Sequence, residues 1–170
     1  NSGLYLAPLR LLALEGYEDL KEANIDASLI TGEEQILNEE AAHICSTIEM
    51  LDFDLEVDVA IIDEVQMLED IDRGWAWVNA IIGVPAKKVI MTGSVNALEA
   101  VKRIVQYLDE ELEVVRHKRK NPLLVLQKWT PLEKLENGTA LIAFSRAEVL
   151  KLKQKLQKKY SVSVIYGNLS

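Results

Sequence analysis

The sequence contains a single cysteine, Cys45, so no internal disulfide can form and a disulfide-stapled scaffold is excluded. Cys45 lies in a strand-like run, where a thiol reads as a small buried hydrophobe, and an intracellular compartment fits. Only two histidines occur, His43 and His117. Neither has metal-ligand partners at a usable spacing, and no Ser-His-Asp or Cys-His arrangement can be built around them. Pro and Gly are sparse (4 and 8 of 170 residues) while 49% of residues are apolar, which excludes a collagen-like or disordered chain. The apolar runs are strand-length and interrupted by charges, so no membrane-spanning helix is expected. The start, Asn1-Ser2-Gly3-Leu4-Tyr5-Leu6, has no basic segment and reads as neither a signal nor a transit peptide. It also lacks Met, and a piece of a longer chain is expected.

Charge is present but unevenly placed. The net charge is −8, yet residues 1–115 carry 7 Lys/Arg against 24 Asp/Glu, and residues 116–170 carry 12 against 3. Such a reversal marks a change of module near Arg116. A basic cluster, Arg116-His117-Lys118-Arg119-Lys120, stands on that boundary, either as a solvated face or as a phosphate contact.

Apolar patterning predicts strands at Gly3–Leu6, Ala27–Ile30, Ile44–Ile48, Val57–Ile62, Lys88–Met91 and Leu112–Val115 in the first module. Helices are predicted from Pro8 to about Ala23, over Gly74–Ile82 and over Ala97–Leu108. Beyond the basic cluster, Leu123–Leu126, Ala140–Phe144 and Val162–Tyr166 read as strands and Ala147–Tyr160 as a Lys-rich helix. Strands alternating with helices imply an α/β fold with a mostly parallel sheet covered on both faces.

The strand Val57–Ile62 ends on Asp63-Glu64-Val65-Gln66. Adjacent acids at the C-terminal end of a parallel strand can hold hydrated Mg²⁺ and activate a water, as a nucleoside-triphosphatase requires. The alternative is that they cap the helix that follows. Four other loops following strands carry small or polar groups suited to phosphate: Ala7-Pro8-Leu9-Arg10, Thr31-Gly32-Glu33, Thr47-Ile48-Glu49 and Thr92-Gly93-Ser94. In a parallel sheet all five would emerge on one edge. Trp75 and Trp77 could stack on bases, but two residues apart on a helix they face different directions. Packing is the expectation for both.

Ala7-Pro8-Leu9-Arg10-Leu11-Leu12-Ala13, Thr31-Gly32-Glu33-Glu34, Cys45-Ser46-Thr47-Ile48-Glu49-Met50, Ile62-Asp63-Glu64-Val65-Gln66-Met67 and Arg73-Gly74-Trp75-Ala76-Trp77 follow in this order. Together they closely resemble the superfamily 2 DExH-type RNA helicases of the mitochondrial degradosome and their bacterial relatives. Leu141 to Arg146 and Ile165 to Leu169 continue the resemblance toward the C-terminus. It implies a partial, parallel-sheet RecA-like helicase domain over residues 1–118, and the beginning of a second RecA-like domain over 119–170. It implies ATP and Mg²⁺ as cofactors and RNA as partner, with RNA unwinding and translocation in RNA turnover as the activity. It further implies Asp63 as the Mg²⁺ acid acting through water, Glu64 as the base, and Gln66 as the link to the coupling motif Thr92-Gly93-Ser94. Pro8, Arg10, Thr31, Gly32, Thr47 and Glu49 would line the RNA path, joined by Phe144, Ser145 and Arg146 of the second domain. An exoribonuclease partner belongs with this setting, as does a bacterial cytoplasm or a mitochondrial matrix.

The chain departs from that family in one respect. No Gly-Lys pair occurs, so the phosphate-cradling loop Gly-x-x-x-x-Gly-Lys-Ser/Thr is absent from these 170 residues. The resemblance places that loop before Ser2, and the family's later motifs after Ser170. The fragment alone is therefore expected to be inactive, and its unpaired sheet edges to promote self-association. Two rival readings use the same residues: a non-catalytic RNA-binding adaptor with a helicase-like surface, and a DNA-directed P-loop motor.

Overall fold

The computed structural model describes residues 1–118 and 120–166. Arg119 of the basic cluster and the stretch Gly167–Leu169 of the C-terminal resemblance lie outside the described residues. The chain divides into two compact units, residues 1–115 and 116–170.

The first unit is built on a six-stranded sheet. Its strands are β1 (Gly3–Ala7), β2 (Ala27–Ile30), β3 (Gln35–Ile36), β4 (His43–Thr47), β5 (Val57–Ile62) and β6 (Ala86–Met91), in spatial order β3-β2-β4-β1-β5-β6. All neighbours run parallel except β3, which folds back antiparallel on β2. The helices α1 (Arg10–Glu22), α2 (Gly74–Gly83) and α3 (Leu98–Tyr107) connect them. The α/β architecture expected from the alternation is thus present.

Alternation along β1 shows why both faces are covered. Leu4 and Leu6 point into one core with Ala60, Ile62, Trp77, Ala80 and Val101, beneath α2 and α3. Tyr5 and Ala7 point into the other, with Ala13, Tyr17, Leu29 and Cys45, beneath α1. A strand buried on both faces must be apolar at nearly every position, and β1, with Gly-Leu-Tyr-Leu-Ala, is. Strand β3 escaped sequence detection because a two-residue, exposed edge strand carries no periodicity. It shortens the β2 edge, a common protection against strand addition.

Cys45 is 1% exposed, and burial pushes its thiol up from 9.0 to about 11. An unfolded thiol ionises earlier, so this burial contributes stability below pH 9 that is lost as pH rises toward 11. The shift corresponds to about 2–3 kcal/mol. Urea midpoints for the chain should therefore fall between pH 9 and 11, and fall less in Cys45→Ala, which has no thiol to titrate. Equal alkaline losses in both proteins would refute this assignment.

Four predicted strands are not formed. Leu112–Val115 has no ladder partner; it follows the acidic run Asp109-Glu110-Glu111, and Val115 is exposed. In the second unit Leu123–Leu126, Ala140–Phe144 and Val162–Tyr166 pair with nothing among the described residues. A strand exists through its neighbour's hydrogen bonds, and parallel strands also need cover on both faces. The described part of this unit supplies one α-helix, α4 (Arg146–Leu156), which buries only Leu156, and a single 3-10 turn at Leu132–Lys134. Leu123 to Leu126 accordingly remain exposed. Helix α4 does form, stopping earlier than predicted. Ser145 caps it by accepting from the Glu148 amide at 3.2 Å, the Ser-x-x-Glu pattern of a helix start. Past its end, Lys159 Nζ and Tyr160 Oη both donate to the Glu133 carbonyl, at 2.7 and 3.1 Å.

Candidate functional site

Five parallel strands put five loops on one sheet edge. From the β2 side the order along that edge is Thr31-Gly32, then Thr47–Glu49, then Pro8–Arg10, then Asp63–Gln66, then Thr92–Ser94. The sequence order is different, and only the crossovers bring Asp63 between the Pro8 loop and the Thr92 loop.

Asp63 is held at every polar atom. Its amide donates to the Leu6 carbonyl at 3.0 Å, continuing the β1–β5 ladder by one residue. Its carbonyl accepts from the Trp77 indole at 2.8 Å. Oδ2 accepts from the Tyr5 hydroxyl at 3.0 Å, and Oδ1 from the Glu64 amide at 2.9 Å and from the Thr92 hydroxyl. The carboxylate is thus oriented by β1, β5 and β6 together. Burial, and then the Asp63 carboxylate, push the Tyr5 phenol well above its ordinary value, so it stays a neutral donor. Glu64 adopts the left-handed conformation, φ 53° and ψ 48°. For a residue with a Cβ that is a strained backbone, of the sort that collects at functional sites. It ends the strand sharply and leaves the Glu64 side chain exposed.

Gln66 joins this pair to the next loop. Its amide nitrogen donates to the Glu64 carboxylate, and its Oε1 accepts from the Ser94 backbone amide at 3.0 Å. The close approach requires Gly93. A Cβ there would lie 2.6 Å from Gln66 Oε1 and 2.8 Å from Val65 Cγ2. A second glycine sets the start of α2: a Cβ on Gly74 would run into the Leu68 carbonyl.

Among the described residues no cluster of three or more His, Cys, Asp or Glu side chains could hold a metal by itself. Mg²⁺ needs none, since it is commonly held by one or two carboxylates, with phosphate oxygens and its own waters. Asp63 Oδ2 accepts one protein hydrogen bond and keeps room for such a water, so the residues present fit this mode of binding.

The remaining loop residues divide. Pro8 is buried, and its carbonyl accepts from Arg73 at 2.6 Å. Arg10 pairs with Glu33, joining the β1 and β2 loops. Thr31 is 2% exposed and its hydroxyl closes the hairpin turn, donating to the Glu34 carbonyl at 2.9 Å and accepting from the Glu34 amide at 3.0 Å. Gly32 is open, with nothing within 4 Å of where a Cβ would be. Thr47 makes no capping bond, and Glu49 is ion-paired with Arg73 at 2.7 Å. In the second unit Phe144 is 97% exposed, Ser145 caps α4, and the Arg146 guanidinium lies 5.0 Å from the Tyr166 ring centroid.

Sequence reasoning missed Tyr5 and Arg73 and underrated Trp77. Trp77 is fully buried, as expected for packing, but its indole also holds Asp63. Trp75 is 56% exposed, against the expectation that both pack. Nothing in the pattern signals Tyr5, since an aromatic in a buried strand is unremarkable by composition. Arg73 and Trp77 do carry a signal in their i, i+4 spacing, which places them on one helix face.

The family model of the DEXQ-box helicase domain of Suv3 matches residues 1–117. The chain is 36% identical over 175 residues to the ATP-dependent RNA helicase SUPV3L1, mitochondrial, of Gallus gallus. It is 38% identical over 178 residues to the ATP-dependent RNA helicase SUV3, mitochondrial, of Saccharomyces cerevisiae. It is 35% identical over 177 residues to the ATP-dependent RNA helicase SUPV3L1, mitochondrial, of Homo sapiens. Each match covers 99% of this chain but only 22%, 24% and 22% of the respective relative.

Proposed function

The chain belongs to the family of Suv3 DEXQ-box helicase domains, and from that membership we propose that it is part of an ATP-dependent RNA helicase acting in RNA turnover. The observation that supports this reading best is the single sheet edge on which the Asp63–Glu64 pair, the Gln66–Ser94 bridge and the Pro8, Thr47 and Gly32 loops succeed one another. Residues 1–118 are then a partial first RecA-like domain, and 119–170 the beginning of a second. Mitochondrial placement follows the names of the relatives. An exoribonuclease partner belongs to the same proposal, as does self-association of the isolated chain through its unpaired sheet edges.

In this reading the chain's residues have separate tasks. Glu64 accepts a proton from the water that attacks the terminal phosphate of ATP. Asp63, fixed by Tyr5, Thr92 and the Glu64 amide, is the residue that would hold Mg²⁺, and the ion would supply charge neutralisation at the phosphates. Gln66 links Glu64 to Thr92-Gly93-Ser94, so a movement of that loop alters the base's position. Pro8, Arg10, Thr31, Gly32, Thr47 and Glu49 shape the RNA path, with Phe144, Ser145 and Arg146 from the second domain. Backbone groups and Arg10 meet phosphate and sugar, which gives affinity without sequence preference. The hydroxyl of Thr31 and the carboxylate of Glu49 act through the turn and the ion pair they make.

The test is steady-state ATP turnover by the longer protein that carries this chain, with and without single-stranded RNA. Turnover should rise on adding RNA and respond less to DNA of the same sequence, because only RNA offers the 2′-hydroxyl. RNA affinity should fall steeply with salt, with a log–log slope of about −0.7 per phosphate neutralised. Equal stimulation by DNA would favour the DNA-directed motor. RNA binding without ATP turnover would favour the adaptor.

A further inference from the structure

Arg73 stands at the start of α2 with its guanidinium shared between two loops of the site edge and the ring of Trp77. Nε donates to Glu49 Oε1 at 2.7 Å, after β4, and a terminal nitrogen donates to the Pro8 carbonyl at 2.6 Å, after β1. The guanidinium carbon lies 5.3 Å from the centroid of the Trp77 ring. Trp77 in turn donates its indole hydrogen to the Asp63 carbonyl at 2.8 Å, after β5. A planar guanidinium can donate in its plane while its face rests on an aromatic ring, and the i, i+4 spacing of Arg73 and Trp77 puts the two groups on one helix face.

From this juxtaposition we propose that Arg73 is a positioning residue that couples occupancy of the Pro8–Arg10 and Thr47–Glu49 loops to the placement of Asp63. The role rests on the function proposed above and extends it. Neither loop is joined to α2 by a strand ladder, whereas the guanidinium joins both at once. A phosphate seated on the Pro8 loop shifts that carbonyl, and the shift passes through Arg73 to the buried indole and so to the backbone of the acid pair. The Arg73–Glu49 pair is about one-third exposed on each side, so water screens it and its value lies in geometry more than in stability.

The experiment compares the longer protein with its Arg73→Gln and Arg73→Lys variants, measuring ATP turnover with and without single-stranded RNA, and thermal melting alongside. In Arg73→Gln the stimulation ratio should fall on the order of tenfold, a usual size for coupling between two sites. Arg73→Lys keeps the charge and the stem and folds even if the Gln variant does not, yet an ammonium lacks the planar fork, so the ratio should stay low. In Trp77→Phe, which keeps a ring but loses the indole hydrogen, the ratio should fall too, and combining it with Arg73→Gln should add little. Full stimulation in Arg73→Gln, restoration by Arg73→Lys, or additive losses in the double variant would each overturn the coupling role alone. A wild-type protein that turns over ATP but is not stimulated by RNA would overturn the function reading, and the coupling with it.

Discussion

In the longer protein, Glu64→Gln should lower ATP turnover by about 10²–10⁴-fold, the usual contribution of a positioned general base. Gln has the shape of Glu and still offers an oxygen to the Gln66 amide, so the local geometry survives. What disappears is the group that can accept a proton from water. The loss should therefore appear in kcat, with little change in KM for ATP or in RNA affinity, when phosphate release is followed at saturating ATP. Turnover within threefold of wild type would remove Glu64 from the role of base. The 170-residue chain by itself should give no steady turnover, since it contains no Gly-Lys phosphate cradle. Steady turnover by the isolated chain, abolished by Glu64→Gln, would contradict that expectation.

The second large effect is on stability. Trp77 is completely buried at the centre of the core shared by β1, β5, α2 and α3. Trp77→Ala should cost about 3–5 kcal/mol for the cavity, in line with large aromatic truncations. It also leaves the Asp63 carbonyl without its donor, a further cost of about 1–3 kcal/mol if water does not replace it. Against the roughly 5–15 kcal/mol that holds an ordinary domain together, this is enough to unfold a marginal one. Trp75→Ala, at a site 56% exposed, should cost much less, within about 1 kcal/mol. Urea midpoints of the two variants provide the comparison, and a Trp75 loss as large as the Trp77 loss would refute the assignment. Trp77→Phe should fall between them.

These two residues show how far the sequence could be read. Glu64 was legible because an apolar strand ending on two acids is a pattern with a chemical reason, and the resemblance gave it a role. The first sheet was legible for a related reason. Strands such as β1 and β5 are apolar at nearly every position, and the helices between the strands have a different period. In the second unit the same apolar signal predicted three strands that do not form, because periodicity reports what a segment would bury and not whether a neighbour is there to pair with it. Trp77 was legible only as packing. Its hydrogen bond to Asp63 joins residues fourteen apart that meet only after α2 folds back over β5.

The sequence by itself determined the five parallel strands and three α-helices of residues 1–107, the acid pair at a strand end and the family. All of these rest on local pattern, meaning the period of apolar residues, their punctuation by small and polar ones, and short ordered motifs. The tertiary structure alone decided which loops are neighbours on the edge, that Tyr5 and Thr92 orient Asp63, that Gln66 reaches Ser94, and that Arg73 ties the Pro8 and Glu49 loops together. Those contacts join residues up to 65 positions apart in the chain, as between Arg73 and Pro8. Their existence depends on strand order in the sheet, which crossovers set and local pattern does not encode.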